Sequence, residues 1–188
     1  MSKKTILLAE DDNSIRLVTT RFLEDSGYKV RSVDSLKKLW KLIESSEGEV
    51  LITDVMMPDG DLFDILPQII ELRNNLPVIV ISAKNNLQTA ISATQQGAYE
   101  YLPKPFDLQE LLTLVSKAID HKKNKKEKHN THQTGDKQLI VGRSMIMQDL
   151  YKSIARLSQN DLTVMIYGES GTGKELVAKA LHQFGPRS

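Results

Sequence analysis

Acidic residues follow two short apolar segments of the chain, each at the point where a strand would end. Asp11 and Asp12 come shortly after the apolar residues 6–9. Asp54 comes directly after residues 50–53. The carboxyl ends of parallel strands meet at one edge of a sheet, where ligands bind in open α/β folds. Three carboxylates gathered there repel one another unless a cation lies among them, so the pattern predicts a site for a hard ion such as Mg²⁺ that keeps positions free for phosphoryl oxygens.

A lysine follows a further strand-like segment. Lys104 comes shortly after residues 99–102, so another strand would carry it to the same edge of the sheet. A cation beside clustered carboxylates makes chemical sense if a phosphate group binds between them. Each residue also has a simpler interpretation, because adjacent aspartates can cap a helix and a lone lysine can be a surface charge. Their joint occurrence at the ends of three predicted strands favours the phosphate site.

The elements that would position these residues alternate between strands and helices. Continuous or β-branched apolar runs predict strands at 6–9, 28–33, 50–53, 78–81 and 99–102. Apolar residues at helical spacing predict helices at about 14–26, after Ser35 as cap, at about 62–73 with an interruption or bend near Pro67, at 87–96, and from Asp107 as cap to 119. Five βα units in sequence predict a doubly wound parallel α/β sheet with the flavodoxin-like (βα)5 strand order.

The composition changes abruptly after the fifth helix. Residues 121–132 contain no apolar residue and are rich in lysine, so they cannot bury enough surface to fold. We therefore predict a basic flexible linker at 121–137, between one domain at 1–120 and a second at 138–188. An alternative is that this charge contacts DNA or an acidic partner, but a solvated spacer is the simpler interpretation.

A Gly-rich sequence dominates the second predicted domain. Apolar spacing predicts a helix at 144–157, and residues 163–167 indicate a buried strand that leads into the sequence GESGTGKE, followed by a helix at 176–184. This spacing is typical of a P-loop, in which backbone amides and a lysine bind the phosphates of ATP. Glu175 stands where a Ser or Thr would hold Mg²⁺, so the strict pattern is not met. The predicted nucleotide-binding residues are Gly168, Glu169, Ser170, Gly171, Thr172, Gly173, Lys174 and Glu175.

Composition limits the remaining possibilities. The chain has 188 residues, 40% of them apolar, and a formal net charge of +1, which does not suit a general polyanion binder. It contains no cysteine, which excludes disulfides, thiolate zinc sites and a cysteine nucleophile. No apolar run approaches the length of a signal-peptide core or a membrane span, so we expect a cytoplasmic protein without membrane contact.

Together these motifs resemble the receiver domain of two-component response regulators over residues 1 to about 120. The resemblance is carried by Glu10-Asp11-Asp12, Asp54 with Met56-Met57-Pro58, Ser82-Ala83 and Lys104-Pro105-Phe106. Residues 97–107, 141–144 and 168–175 resemble the NtrC family of regulators, which activate sigma-54 RNA polymerase. A glutamate at position 175 is usual in that family, which is consistent with the departure from the strict P-loop pattern.

The resemblance implies a role for each matching position. Asp54 would be the phosphoacceptor, and Mg²⁺ would be held by Asp11, Asp12, Asp54 and the backbone carbonyl of Met56. Lys104 would pair with the phosphoryl group, Ser82 would donate a hydrogen bond to it, and Tyr101 would change rotamer and turn inward. The peptide bond before Pro105 would be cis.

The resemblance also implies partners. A sensor histidine kinase would supply the phosphoryl group, and the chain would self-associate through the 87–96 helix, the fifth strand and the 108–119 helix. It would then control sigma-54-dependent transcription, with nitrogen-assimilation genes as the expected targets. Sigma-54 polymerase and DNA would be contacted by regions beyond Ser188.

The chain ends shortly after the P-loop helix, so we expect an incomplete AAA+ ATPase and a regulator rather than an enzyme. A natural truncation, a fragment and a broken gene all fit this end. Two other functions remain open: an ATP-binding ATPase with a regulatory domain, and a stand-alone receiver that acts by protein contact. The sequence beyond this end would distinguish them.

Overall fold

The computed structural model describes residues 3–83, 87–121 and 145–185. These residues form two compact units. The first comprises Met1–Ala83 and Gln96–His129, and the second comprises Lys84–Gln95 and Asn130–Ser188. Apart from His121, the predicted linker at 121–137 lies outside the described residues, as do residues 141–144.

The first unit contains a five-stranded parallel sheet. Its strands are β1 (Thr5–Ala9), β2 (Lys29–Val33), β3 (Val50–Asp54), β4 (Val78–Ser82) and β5 (Glu100–Pro103). They lie in the order β2-β1-β3-β4-β5, and every neighbouring pair is parallel. This order confirms the predicted flavodoxin-like sheet. The order reverses between β1 and β3, and this is the place where open α/β sheets bind ligands.

The helices also follow the prediction closely. They are α1 (Asn13–Asp25), α2 (Leu36–Glu44), α3 (Leu62–Leu72), α4 (Leu87–Gln95) and α5 (Leu108–His121). Of the interruption or bend predicted near Pro67, the interruption is wrong, because α3 continues through this residue, and the bend stays a prediction. Proline removes one helical hydrogen bond, but the buried face formed by Leu62, Leu66 and Ile69 holds the helix together.

Alternation along the strands builds the core. Ile6 and Leu8 of β1 join one hydrophobic cluster with residues of α1 and α5, such as Leu23 and Val115. Leu7, between them, points to the opposite face of the sheet, as the pleat requires. There it lies against Gly48, whose φ is +81° and whose Cβ, if present, would be 2.5 Å from Leu7 Cγ. Position 48 therefore requires glycine both for its backbone and for its neighbour.

One predicted cap is replaced by a distant residue. Ser35 was expected to cap α2, but its side chain makes no capping hydrogen bond. Asp59 does so instead, with its carboxylate oxygens accepting from the backbone N–H of Leu36 at 2.8 Å and of Lys37 at 2.9 Å. Asp59 lies at the turn of a two-stranded antiparallel ribbon that pairs residues 56–57 with 60–61. The loop after β3 is thereby fastened to the start of α2.

The second unit contains three helices among its described residues. They are α4, α6 (Met145–Leu157) and α7 (Lys174–Phe184), and α6 packs against both of the others. The strand predicted at 163–167 is wrong, because these residues adopt no regular structure and most are exposed. A strand needs a neighbour to pair its backbone groups, and residues 145–185 provide none. No helix in the described part of either unit is long and apolar enough to cross a membrane.

Candidate functional site

Three carboxylates meet at the carboxyl end of the sheet. Glu10 and Asp11 follow the last residue of β1, and Asp54 is the last residue of β3, its neighbour. One carboxylate oxygen from each lies within 4.8 Å of the other two. Glu10 is fully buried, Asp54 is nearly so, and Asp11 is exposed. An acidic cluster is therefore present at the predicted edge of the sheet, and it includes Glu10.

Asp12 lies at the start of the first helix. It is the N-cap of α1, and its Oδ1 accepts from the backbone N–H of Ser14 at 2.8 Å and of Ile15 at 3.0 Å. These two hydrogen bonds to the charged form hold the pKa of the Asp12 carboxyl below its usual range. Of the three consecutive acids, Glu10 and Asp11 lie in the cluster and Asp12 caps α1. The metal role expected of Asp12 stays a prediction.

Lys104 lies between two of the clustered carboxylates. Its Nζ is 2.5 Å from Asp54 Oδ2 and 2.7 Å from Glu10 Oε2, and it donates a hydrogen bond to Glu10 Oε1 at 2.8 Å. Its backbone N–H donates to the carbonyl of Ser82 at 2.8 Å, which fastens the end of β5 to the end of β4. The Lys104–Pro105 peptide bond is cis, as the resemblance implies.

Burial and charge act in opposite directions on this lysine. Burial alone would lower the pKa of Lys104, but hydrogen bonds to Asp54 and Glu10 and their negative charges raise it. The ammonium is therefore charged at neutral pH. For Glu10, burial is the largest effect and raises its pKa above the usual range, although the bond to Lys104 works against it. The buried carboxylate at position 10 thus depends on a cation beside it.

The donor set fits Mg²⁺. Carboxylate oxygens are the ligands that this ion prefers, and few of them are needed because it keeps several waters. Glu10 Oε2 is buried and already lies 2.7 Å from the ammonium of Lys104. The fit to Mg²⁺ therefore rests on the three carboxylates, one oxygen of each lying within 4.8 Å of the other two. Coordination by the carbonyl of Met56 stays a prediction, although the Met56 N–H lies 3.3 Å from Asp54 Oδ1, which places this residue beside Asp54.

Ser82 and Tyr101 are both buried in the sheet. Ser82 ends β4, and Tyr101 is the second residue of β5 and only 4% exposed. Burial and the negative charge of Asp54 raise the pKa of the Tyr101 hydroxyl, so it remains neutral. The aromatic ring is already inward in this structure, so the inward turn expected on phosphorylation would have to start from another conformer.

The P-loop of the second unit is mostly exposed, and its lysine bonds to carbonyls of the same loop. Lys174 Nζ donates to the backbone carbonyls of Gly168 at 2.9 Å and Glu169 at 2.6 Å, the positions that phosphates would have to replace. Gly173 has a φ of +83° and is the N-cap of α7. Glu175 pairs with Lys179 at 2.7 Å, and that bond lowers the pKa of its carboxyl. The loop thus presents a lysine and a helix N-terminus to solvent.

Two protein families match successive parts of the chain. Residues 6–116 match the response regulator receiver domain, and residues 140–188 match the sigma-54 interaction domain. The chain therefore belongs to the response regulators, with a receiver domain followed by the start of a sigma-54 interaction domain.

The relatives that the chain resembles are regulators of about two and a half times its length. It is 51% identical over 187 residues to the DNA-binding transcriptional regulator NtrC of Bradyrhizobium sp. (strain RP501 Parasponia), which covers all of this chain and 39% of that protein. The chain thus spans about two-fifths of the curated relatives that it matches.

Two solved structures extend the likeness to the fold. The beryllofluoride-activated NtrC4 receiver domain dimer is 32% identical with a TM-score of 0.60, over 63% of this chain and 98% of that one. NtrX from Brucella abortus in complex with ADP is 28% identical with a TM-score of 0.61, over 99% of this chain and 41% of that one.

Sequence reasoning missed two residues that shape the site. Glu10 was part of the quoted motif but was not assigned to the metal, although a buried acid directly after an apolar strand was a usable signal. Asp59 acts on a helix that begins 23 residues earlier, at Leu36. A contact between residues so far apart in the chain leaves no local sequence pattern that would predict it.

Proposed function

We propose that this chain is a phosphorylation-controlled regulator that accepts a phosphoryl group on Asp54 from a phosphohistidine of a sensor kinase. The observation that carries this proposal is the placement of Lys104 between Asp54 and Glu10, within 2.8 Å of each. A structural ion pair would need one carboxylate. Here a single ammonium meets two carboxylates, with a third acid beside them, which is the charge distribution that a transferred phosphoryl group requires.

The chemistry of Asp54 follows from its two oxygens. Oδ2 is held by Lys104, whereas Oδ1 accepts a longer hydrogen bond of 3.3 Å from Met56 N–H. Oδ1 is therefore the oxygen whose lone pair attacks phosphorus. A new P–O bond forms as the P–N bond to the donor histidine breaks, and the imidazole nitrogen keeps that electron pair and takes a proton. Lys104 stays beside the product and pairs with the added negative charge.

Mg²⁺ is the cofactor that the acidic cluster would hold, through Glu10, Asp11 and Asp54, with the Met56 carbonyl as a further ligand. When bound, it supplies charge neutralisation for the phosphoryl oxygens. Asp12 is assigned to helix capping and not to this ligand set. These carboxylates would hold the cation beside the nucleophile, and Lys104 would pair with the phosphoryl group.

The response to phosphorylation would pass through Ser82 and Tyr101. A dianionic group on Asp54 offers acceptors to the Ser82 hydroxyl, and a shift of Ser82 changes the space available to Tyr101. The modification would favour a conformer with a different surface on β5 and α5, and the chain would self-associate through it. The activated NtrC4 receiver is described as a dimer, which supports this part of the proposal.

The second unit is the basis for the remaining function. We infer that residues 138–188 begin an ATP-binding domain whose longer form acts on sigma-54 polymerase and DNA, with nitrogen-assimilation genes as targets. The support is the P-loop with Lys174, the family match and the ADP complex of the similar NtrX. Domains of this type are ATPases, so the expectation that the protein is no enzyme stays a prediction for the 188-residue chain.

Acetyl phosphate tests the phosphoacceptor without a cognate kinase. The chain should become phosphorylated when Mg²⁺ is present, and Asp54→Asn should abolish this. Asp59→Asn is the matched control, because Asp59 lies in the same loop but caps α2. Equal phosphorylation of wild type and Asp54→Asn would overturn the proposal.

Sedimentation tests the proposed switch. Beryllofluoride with Mg²⁺ should raise self-association of the wild-type chain. Ser82→Ala should weaken that response and leave phosphorylation of Asp54 largely intact. An unchanged association state in the wild type would exclude the switch and leave the phosphoacceptor assignment standing.

A further inference from the structure

Arg16 reaches back from α1 to the loop that carries the acidic cluster. Its Nη1 donates to the backbone carbonyl of Glu10 at 2.6 Å and to that of Asp11 at 3.0 Å. Its Nη2 donates to Asn13 Oδ1 at 2.5 Å. One planar guanidinium thus holds the main chain of both residues whose side chains enter the cluster from β1, together with the first residue of α1.

These contacts fix directions that the side chains need. A carbonyl held in place fixes the orientation of its peptide plane, and so the direction in which the adjoining side chains leave the backbone. This matters most for Asp11, which is exposed and is therefore not fixed by packing. The backbone of Glu10 is also held from the other side, where its N–H donates to the carbonyl of Val33 at 3.0 Å.

We propose that Arg16 is a positioning residue for the divalent cation. Its guanidinium holds the loop between β1 and α1 in the conformation that directs the carboxylates of Glu10 and Asp11 to one ion. This inference rests on the function proposed above, because it concerns the same cation. Arg16 itself binds neither the cation nor the phosphoryl group. Its effect passes through the two carbonyls, as with the outer hydrogen bonds that orient metal ligands in other sites.

Charge and geometry predict opposite results for this residue. A positive charge near a cation site repels the cation, so by charge alone the loss of Arg16 would tighten Mg²⁺ binding. Loss of the guanidinium hydrogen bonds would loosen the loop and weaken Mg²⁺ binding. Arg16→Lys keeps the charge but cannot make the same planar set of hydrogen bonds. Arg16→Gln removes the charge. The two variants therefore separate the two effects.

Both variants should fold, because lysine and glutamine have helix propensities close to that of arginine. Arg21→Lys is the matched control, since Arg21 is an exposed residue of the same helix. Isothermal titration of the unphosphorylated chain with MgCl₂ measures the affinity directly. Phosphorylation by acetyl phosphate, measured at low and at saturating Mg²⁺, gives a second readout.

We expect Arg16→Lys and Arg16→Gln each to raise the Kd for Mg²⁺ about tenfold, with Arg21→Lys within about twofold of the wild type. Phosphorylation should slow at low Mg²⁺ and recover at saturating Mg²⁺. A purely structural role would lower the melting temperature and leave the Kd of the folded protein unchanged. An unchanged Kd for Arg16→Lys, or tighter binding by Arg16→Gln, overturns the inference alone. Failure of the wild type to bind Mg²⁺ overturns the proposed function as well.

Discussion

The acidic cluster and the P-loop both place a lysine near backbone or side-chain oxygens, yet they are built in different ways. Lys104 is 13% exposed and bonds to two carboxylates that adjacent strands hold in place. Lys174 bonds to the carbonyls of its own loop, and the residues before that loop form no strand. A motif becomes a formed site where a packed sheet fixes each group from a separate element. The receiver has that support, and the P-loop segment has a helix alone.

Removing part of the sheet core should have the largest effect. Ile52 is fully buried in β3, two residues before Asp54. Ile52→Ala should lower the free energy of unfolding by about 3 kcal/mol, because it loses buried surface and leaves a cavity. Urea unfolding followed by the fluorescence of Trp40, the single tryptophan, measures this. The control is Met165→Ala, in a residue 73% exposed before the P-loop, which should change it by less than about 0.5 kcal/mol. Equal losses would contradict the comparison.

The next effect concerns which acid serves the cation. Glu10→Gln should raise the Kd for Mg²⁺ about thirtyfold, equal to about 2 kcal/mol, because it removes a buried charge of the cluster. Asp12→Asn should change the Kd less than about twofold, since asparagine also caps helices and position 12 is the N-cap of α1. Calorimetric titration of both variants decides the assignment. A larger effect at Asp12 than at Glu10 would restore the ligand set expected from the sequence.

These two acids also show what the sequence could and could not predict. The strands were predictable because each is a short apolar run buried on both faces, and their order followed from five βα units. The choice between Glu10 and Asp12 was not, because a one-residue change where β1 ends alters which acid faces the cluster. The contact of Asp59 with α2 was also not predictable, because it joins distant parts of the chain. The strand predicted at 163–167 is wrong because residues 145–185 offer it no neighbouring strand.

A smaller effect is expected at the cap from Asp59. Burial alone would raise the pKa of Asp59, but hydrogen bonds from the N–H groups of Lys37 and Leu36 outweigh it and lower the pKa below the usual 3.8. Asp59→Ala should therefore lower the free energy of unfolding by about 1 kcal/mol at pH 7. A depressed folded-state pKa stabilises the fold above pH 3.8, so the difference should shrink as the pH falls below that value. Asp59→Asn should retain part of the cap. A difference that grew in acid would contradict the contact.

The smallest effect on the receiver should come from the P-loop. Lys174→Ala removes a half-buried lysine that bonds to the carbonyls of its own loop, so the free energy of unfolding should change by less than about 0.5 kcal/mol. Phosphorylation of Asp54 by acetyl phosphate should be unaffected, while binding of a fluorescent ATP analogue should weaken. Lys179→Ala, which removes the partner of Glu175, is the matched control. Slower phosphorylation of Asp54 in Lys174→Ala would contradict the expectation that the acidic cluster acts independently of the P-loop.

The most direct test of the central claim is to locate the acyl phosphate itself. After treatment with acetyl phosphate and Mg²⁺, borohydride reduces an aspartyl phosphate to homoserine, and mass spectrometry of the peptides identifies the residue. We predict homoserine at Asp54 and at no other aspartate of the loops that follow β1 and β3, and none when Mg²⁺ is withheld. Homoserine at Asp11, Asp12 or Asp59 in place of Asp54, or reduction at Asp54 without Mg²⁺, would contradict the account.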